Sequence, residues 1–325
     1  MILLKTDCLD PYFNLASEEY LIDHAEDDLC MLWRNDKSVI IGNNQNAYAE
    51  LNLPFVEANK VKVVRRLTGG GAVFHDPGNV NFTFIVKANE EERQKIDFAR
   101  FTRPIIDFLH LHGANASLSG RNDILIDGKK ISGNAQCVRN GRIMHHGTLL
   151  FSSDMNDIAE SLRVDEEKIR SKGIKSVRNR VANISESIAD DWDTVTFLGE
   201  LENYICSSFG TEIRTFTEEE KKAIALLSET KYSTWAWNYG ESKSFSSVKK
   251  ARFPFGSVSV SLNAEHGVIS DISFTGDFFS VDPISLLEKE MIGKKLEQTE
   301  ILLSLEKIGR YIAGAMPEDI LPLIL

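Results

Sequence analysis

The stretch Val61-Lys62-Val63-Val64-Arg65-Arg66-Leu67-Thr68-Gly69-Gly70-Gly71-Ala72-Val73-Phe74-His75-Asp76, continued by Pro77-Gly78-Asn79-Val80-Asn81-Phe82-Thr83-Phe84-Ile85-Val86, decides how the rest of the chain is read. Val61, Val63 and Val64, interleaved with charge, predict a strand, and residues 72–74 and 82–86 predict two more. The glycines then fall at a tight reversal between paired strands. Without side chains they let the backbone approach a ligand closely, and at positive φ successive N–H groups can converge on one anion. Because neighbouring strand residues face opposite sides, one of Arg65 and Arg66 shares the pocket face and the other points to solvent or a surface partner. Arg66 is assigned to the pocket. Taken alone, a glycine triplet fits a flexible turn equally well; an arginine pair, the triplet and His75-Asp76 within a dozen residues is more chemistry than a hairpin needs.

At 325 residues, 42% of them hydrophobic, the chain has material for one large and one small domain. A net charge of −11 argues against a general nucleic-acid binder, which needs a concentrated basic face. No apolar run reaches the ~18 residues of a membrane span and the N-terminus lacks a leader pattern, so a cytoplasmic protein without nucleic-acid or membrane partners is expected. Cys8, Cys30, Cys137 and Cys206 are widely spaced, as reduced thiols are, with no Cys-x-x-Cys for zinc.

In chain order, Asn14 reads as the N-cap of a helix over 15–25, with Glu18-Glu19 in an acidic first turn. Residues 31–34 and 38–41 read as strands, and Trp33 is either core or the wall of an apolar slot. Residues 101–112 carry a buried-helix pattern on which His110 and His112 face apart. Residues 120–133 read as loop, strand, Asp127-Gly128 hairpin and a returning strand begun by Lys130. A lysine so placed can set a point charge on a phosphate or carboxylate, although a lone lysine is more often simply exposed. Residues 142–151 form another strand; one of His145 and His146 is packed or hydrogen-bonded in the site, with no zinc spacing. Residues 168–180 carry six basic side chains, either a solvated face or a loop that closes over an anion. Residues 155–162, 194–209 and 218–228 are expected as helices. A polar linker at 241–247 leads into a small α+β unit with alternating strands near 258–262 and 268–274 and helices at 283–292 and 298–313.

Four ordered motifs together resemble the lipoate–protein ligase A family. They are Arg65-Arg66-x-x-Gly69-Gly70-Gly71-Ala72-Val73-Phe74-His75-Asp76, Gly120-Arg121-Asn122-Asp123, Lys130-Ile131-Ser132-Gly133-Asn134-Ala135 and His145-His146-Gly147-Thr148-Leu149-Leu150. Leu15-Ala16-x-Glu18-Glu19, Gly42-x-x-Gln45-Asn46, the run from Ser176 to Val181 and Trp237-Asn238-Tyr239-Gly240 are similar too. The resemblance implies an α+β fold. Its catalytic domain, residues 1–241, has mixed sheets flanked by helices, as in biotin/lipoate ligases and class II synthetase cores, and residues 248–325 form an accessory domain that swings between half-reactions. The implied activity is ATP-dependent: lipoate is activated to lipoyl-AMP, and the lipoyl group then passes to a lysine of a lipoyl domain of a 2-oxoacid dehydrogenase E2 subunit or of the glycine-cleavage H protein.

By matching positions, Arg66, Gly71, Ala72, Val73, Phe74, Asn122, Asp123, Lys130, Val177 and Arg178 are implied to hold ATP. Lys130 is the catalytic residue and Asp123 a Mg²⁺ ligand. Trp33, Gly70, Gly71, His75, Lys130 and His145 are implied to meet the acyl substrate. Adenylation needs no covalent nucleophile, only alignment of carboxylate on phosphorus and dispersal of charge, which suits this residue set. The alternatives are a cysteine-dependent octanoyl or lipoyl transferase, which would need an activated thiolate such as Cys137, and a lipoate-binding module without turnover.

Overall fold

The computed structural model describes residues 1–162, 180–239 and 247–325. Two sheets share the larger unit. The main one is mixed and eight-stranded, in the order β11-β1-β2-β6-β10-β9-β8-β7. Its strands are β1 (Ile2–Lys5), β2 (Leu29–Trp33), β6 (Asn79–Lys87), β7 (Ala116–Ser119), β8 (Asp123–Ile126), β9 (Lys129–Arg139), β10 (Arg142–Leu150) and β11 (Glu212–Thr215). The other sheet is β4-β3-β5, from β3 (Ser38–Ile41), β4 (Lys62–Arg65) and β5 (Val73–His75).

The glycine stretch is not a hairpin. β4 lies parallel to β3 and β5 antiparallel to it on its other side, so residues 66–72 cross over β3 rather than reverse between paired strands. The turn at Asp127-Gly128 behaves as read, with φ of 50° and 77° at the two central residues, the mirror-image turn that suits strand twist.

Apolar alternation decides which face each strand buries. Val80, Phe82, Phe84 and Val86 of β6 pack with Phe101, Ile105 and Phe108 of the helix Phe98–Leu111 and with Phe197 and Leu201 of the helix Thr194–Phe209. On the other side, Leu15, Leu21 and Ile22 of the helix Pro11–His24 pack with Met31, Trp33, Ile40 and Met144. That helix starts earlier than its sequence suggests. Asp10 caps it, its side chain accepting from Tyr12 N, while Asn14 is fully buried one turn inside and donates to Cys8 O and Arg34 O. Glu18 and Glu19 are therefore mid-helix and buried rather than in the first turn.

From residue 247 a separate antiparallel sheet, β12 (Ser247–Phe253), β13 (Gly256–Glu265) and β14 (Val268–Gly276), carries a core of its own. The helical stretch expected over 298–313 is broken into Gln298–Ser304 and Ile308–Tyr311, and Pro317–Ile324 adds a further helix. This unit touches the glycine stretch and the turn after β3 directly: Gly70 N donates to Phe278 O at 3.1 Å and Gly276 N to Asn44 O at 2.8 Å. Among the described residues no helix is long and apolar enough to cross a membrane.

Candidate active site

A cavity of about 570 Å³, counting its open mouth, lies between the two sheets. Its floor is apolar, with Leu15, Trp33 and Ile40 each no more than 2% exposed. β5 contributes Val73 and His75, β6 Asn81, β9 Lys130, Gly133, Asn134 and Ala135, and β10 His146, Gly147 and Thr148, while Arg66, Gly71 and Ala72 close the side nearest the glycine stretch. Gly147 cannot be replaced without repacking this wall: a Cβ there would stand 2.3 Å from Asn134 Oδ1 and 2.5 Å from the Phe82 ring.

Both arginines are buried, against the expectation that one of them faces outward. Arg65 Nη1 donates to Gly42 O, Asn43 O and Gln45 O, its Nη2 to Asn238 O and its Nε to Trp237 O. A guanidinium has five donors in a fixed fork, and here backbone carbonyls take the place of solvent. Arg65 thus ties the 42–45 turn to the 235–238 helix. Arg66 lines the cavity, as read. Its Nη2 donates to Gly69 O and Gly71 O, its Nη1 to Ile40 O and its Nε to Thr68 Oγ1, so it fixes the shape of the glycine stretch as much as it offers charge. Burial pulls both guanidinium pKa values down to about 10, still cationic at neutral pH. The N–H of Gly70, at φ 92°, is spent on Phe278 O.

Lys130 stands on the open side of the cavity, its side chain 34% exposed against the buried floor. Its Nζ lies 2.8 Å from Asp123 Oδ1 across the β8–β9 pair. A Cβ on Gly133 would come within 2.9 Å of Nζ, so the lysine lies over the bare glycine backbone. The Lys130 backbone donates to Arg180 O and accepts from Ala182 N, which pins the chain that returns beyond residue 179. Asn122 and Asn134 exchange backbone and side-chain bonds and hold β8 against β9 at the cavity edge.

His75 is 3% exposed; its Nδ1 accepts from Asn35 Nδ2 at 3.0 Å, so its proton sits on Nε2. Burial, with the cationic Arg66 nearby, drops its pKa to about 3, so it is neutral across the physiological range. Among the described residues neither His75 Nε2 nor Asn81 Nδ2 has a hydrogen-bond partner, which leaves two donors for a ligand acceptor near the apolar floor.

The residues singled out from sequence divide in three. Trp33, Arg66, Gly71, Ala72, Val73, His75, Asn122 and Lys130 all line the cavity, and Asp123 is paired to Lys130. Gly70, Phe74 and His145 do not line it. Phe74 packs with Val39 and Ile41 on the opposite face of β5, and Gly70 meets Phe278 and Phe279. Of the two adjacent histidines the structure selects His146: His145 is sealed among Phe82, Phe98 and Phe101, where burial holds its pKa far below the ordinary value. Val177 and Arg178, with most of the basic run at 168–180 and the polar linker, fall outside the described residues.

Sequence reasoning passed over Glu18, Thr68, Thr83, Asn81 and Asn134. The signal for Glu18 was its spacing, three residues after Leu15 and four before Ile22, which puts a carboxylate inside the apolar stripe of its helix. Among the described residues no three acidic, histidine or cysteine side chains gather, so the donor set does not fit a resident metal cage. It fits an ion held by Asp123 together with phosphate oxygens, which is how Mg²⁺ is commonly bound.

Residues 10–205 match the family model described as the lipoyl protein ligase A/B catalytic domain, and residues 242–324 match the bacterial lipoate protein ligase C-terminus. The chain is similar to lipoate-protein ligase LplJ of Bacillus subtilis, with 43% identity over 322 residues covering 97% of each chain. Among solved structures it resembles P. falciparum LipL1 in complex with lipoate, with a TM-score of 0.82 and 25% identity, covering 100% of this chain and 99% of that one. It also resembles lipoate-protein ligase A bound with ATP, with a TM-score of 0.62 and 27% identity, covering 74% and 98%.

Proposed function

The chain belongs to the lipoate–protein ligase family, and from that premise we propose that the cavity between its sheets seats the lipoyl chain and that its open side, between Lys130 and the glycine stretch, is where lipoate meets ATP. The enzyme is a lipoate–protein ligase. The observation that carries the placement is Lys130: a one-third-exposed ammonium at the mouth of a cavity with an apolar floor, beside backbone that Arg66 holds in shape.

In the first half-reaction the lipoate carboxylate attacks the α-phosphorus of ATP, the bond to the β-phosphate breaks, and pyrophosphate leaves. Lys130 Nζ is placed to pair first with the carboxylate and then with the phosphate of the mixed anhydride, spreading charge that grows at the reacting phosphorus. On arrival of these anions it exchanges its Asp123 partner. Asp123 would then be free to hold Mg²⁺, which would supply charge neutralisation on the nucleotide phosphates. Trp33, Leu15 and Ile40 take the hydrocarbon and dithiolane end and exclude water, which would otherwise hydrolyse the anhydride. His75 Nε2 and Asn81 Nδ2 offer donors there. In the second half-reaction an acceptor lysine attacks the lipoyl carbonyl, forming the amide and releasing AMP. The acceptors we propose are lipoyl domains of E2 subunits and the glycine-cleavage H protein. Residues 248–325 are proposed as a domain that re-docks between the steps.

The transferase alternative needs a thiolate. Burial, with Glu18 nearby, pushes the Cys137 thiol up to about 12, the reverse of activation, and Cys137 is absent from the cavity lining. The test is intact-mass measurement of an apo lipoyl domain incubated with enzyme, lipoate, Mg²⁺ and ATP. A lipoyl adduct that requires ATP supports the ligase; an adduct formed without ATP from an acylated donor protein overturns it.

A further inference from the structure

We propose that Glu18 is a positioning residue whose single oxygen, Oε1, ties the acyl wall of the cavity to its nucleotide wall. Its carboxylate is 1% exposed and lies on the helix Pro11–His24 beneath both walls. Two hydrogen-bonded chains converge on it. In one, Trp33 Nε1 donates to Thr83 Oγ1 at 2.9 Å, and Thr83 Oγ1 donates to Glu18 Oε1 at 2.6 Å. In the other, His146 Nδ1 stands 2.8 Å from the same oxygen, His146 Nε2 is 2.7 Å from Thr68 Oγ1, and Arg66 Nε donates to Thr68 Oγ1 at 2.9 Å.

The donor sense of both chains follows from one end. A carboxylate only accepts, so His146 donates from Nδ1; as a neutral imidazole its Nε2 then accepts from the Thr68 hydroxyl, which in turn accepts from Arg66. Thr83 likewise accepts from the indole and gives its own proton to Glu18. Each hydroxyl is then used once as donor and once as acceptor. Among the described residues Glu18 Oε2 has no partner, so the second oxygen is not needed to complete the network. His146 and Thr83 face each other directly across β10 and β6, which holds the two branches in register.

The consequence, which rests on the ligase reading above, is that lipoate and ATP sites share one buried anchor while each keeps its own branch. Thr83 serves only the Trp33 side and Thr68 only the Arg66 side. A carboxylate retained merely for packing would not divide in this way.

The test measures initial rates of pyrophosphate release while ATP and lipoate are varied in turn, for the wild type and four variants, each first checked for a cooperative thermal transition. Thr83→Val is expected to raise the half-saturating lipoate concentration about tenfold and leave that of ATP within about twofold; Thr68→Val should do the reverse. Glu18→Leu should raise both, and Glu18→Gln, whose amide oxygen can still accept from both chains, should restore both to within about threefold of wild type. Thr83→Val and Thr68→Val shifting the two constants alike, or Glu18→Leu shifting neither, overturns the assignment. Wild-type enzyme that releases no pyrophosphate overturns the ligase reading itself, a separate and recognisable failure.

Discussion

The two walls of the cavity are built on opposite plans. The buried wall, around Glu18, Thr83, His146, Thr68 and Arg66, has nearly every polar atom matched to another protein atom, and none of these residues exceeds 8% exposure. The open wall, around Asn122, Asp123 and Lys130, is about one-third exposed at its charged side chains and holds its reactive ammonium by a single ion pair. An exposed pair of this kind contributes only about 0–1 kcal/mol, so Lys130 can leave Asp123 for a substrate anion at little cost. A buried network cannot exchange partners so cheaply, because each unmatched polar group costs about 1–3 kcal/mol. On the proposed reading, one wall fixes shape and the other does the chemistry.

The largest way to break this contrast is at the open wall. Lys130→Ala should lower lipoate-dependent pyrophosphate release by about 10³-fold while leaving the thermal midpoint close to wild type. A comparable drop in the midpoint would mean that the lysine belongs to the scaffold after all. Next comes Arg65, the scaffold arginine beside the functional one. Arg65→Met strips five donors from backbone carbonyls and should cost about 4 kcal/mol in chemical denaturation, whereas an effect near zero would show that water replaces those bonds.

Acidification tests the buried histidines together. Unfolded histidine takes up a proton near pH 6.5, while folded His75 does so only at about pH 3 and folded His145 well below its ordinary value. Their contribution to stability is therefore complete above pH 6.5 and is lost as pH falls towards 3, by up to about 1.4 kcal/mol per pH unit for each histidine. Denaturation midpoints that stay flat between pH 6.5 and 5 would contradict their placement. The smallest effect expected is from Cys137→Ser: ligase activity within about twofold of wild type, because a thiol pushed up to about 12 is not a nucleophile at neutral pH. Loss of activity with an intact fold would return this cysteine to the mechanism.

Much of this was legible from residue pattern. The Asp127-Gly128 turn marked the return into β9, which begins one residue earlier than read, at Lys129, and the arginine–glycine run marked the cavity edge. Periodicity failed where a strand's polar face is neither core nor solvent. Asn79, Asn81 and Thr83 alternate with Val80, Phe82 and Phe84 like the outer face of a half-exposed strand, yet all three are no more than 2% exposed and look into the cavity side. The same limit hid the crossover of residues 66–72, because local sequence states that a strand exists and not which neighbour it will pair with. It also sent Arg65 outward, since alternation names two faces and cannot tell that both are buried. His145 and His146 could be separated into opposite faces but not ranked, which required knowing that aromatic rings seal one of those faces.

The most direct measurement is pyrophosphate release by the wild-type enzyme with Mg²⁺ and ATP, with lipoate added or withheld and no acceptor protein present. The cavity and its open lysine predict release that depends on lipoate and reaches roughly one pyrophosphate per enzyme before slowing, as the adenylate stays bound behind the apolar wall. Release that is indifferent to lipoate, or absent while acyl groups still move between proteins, would contradict the placement of adenylation at this cavity.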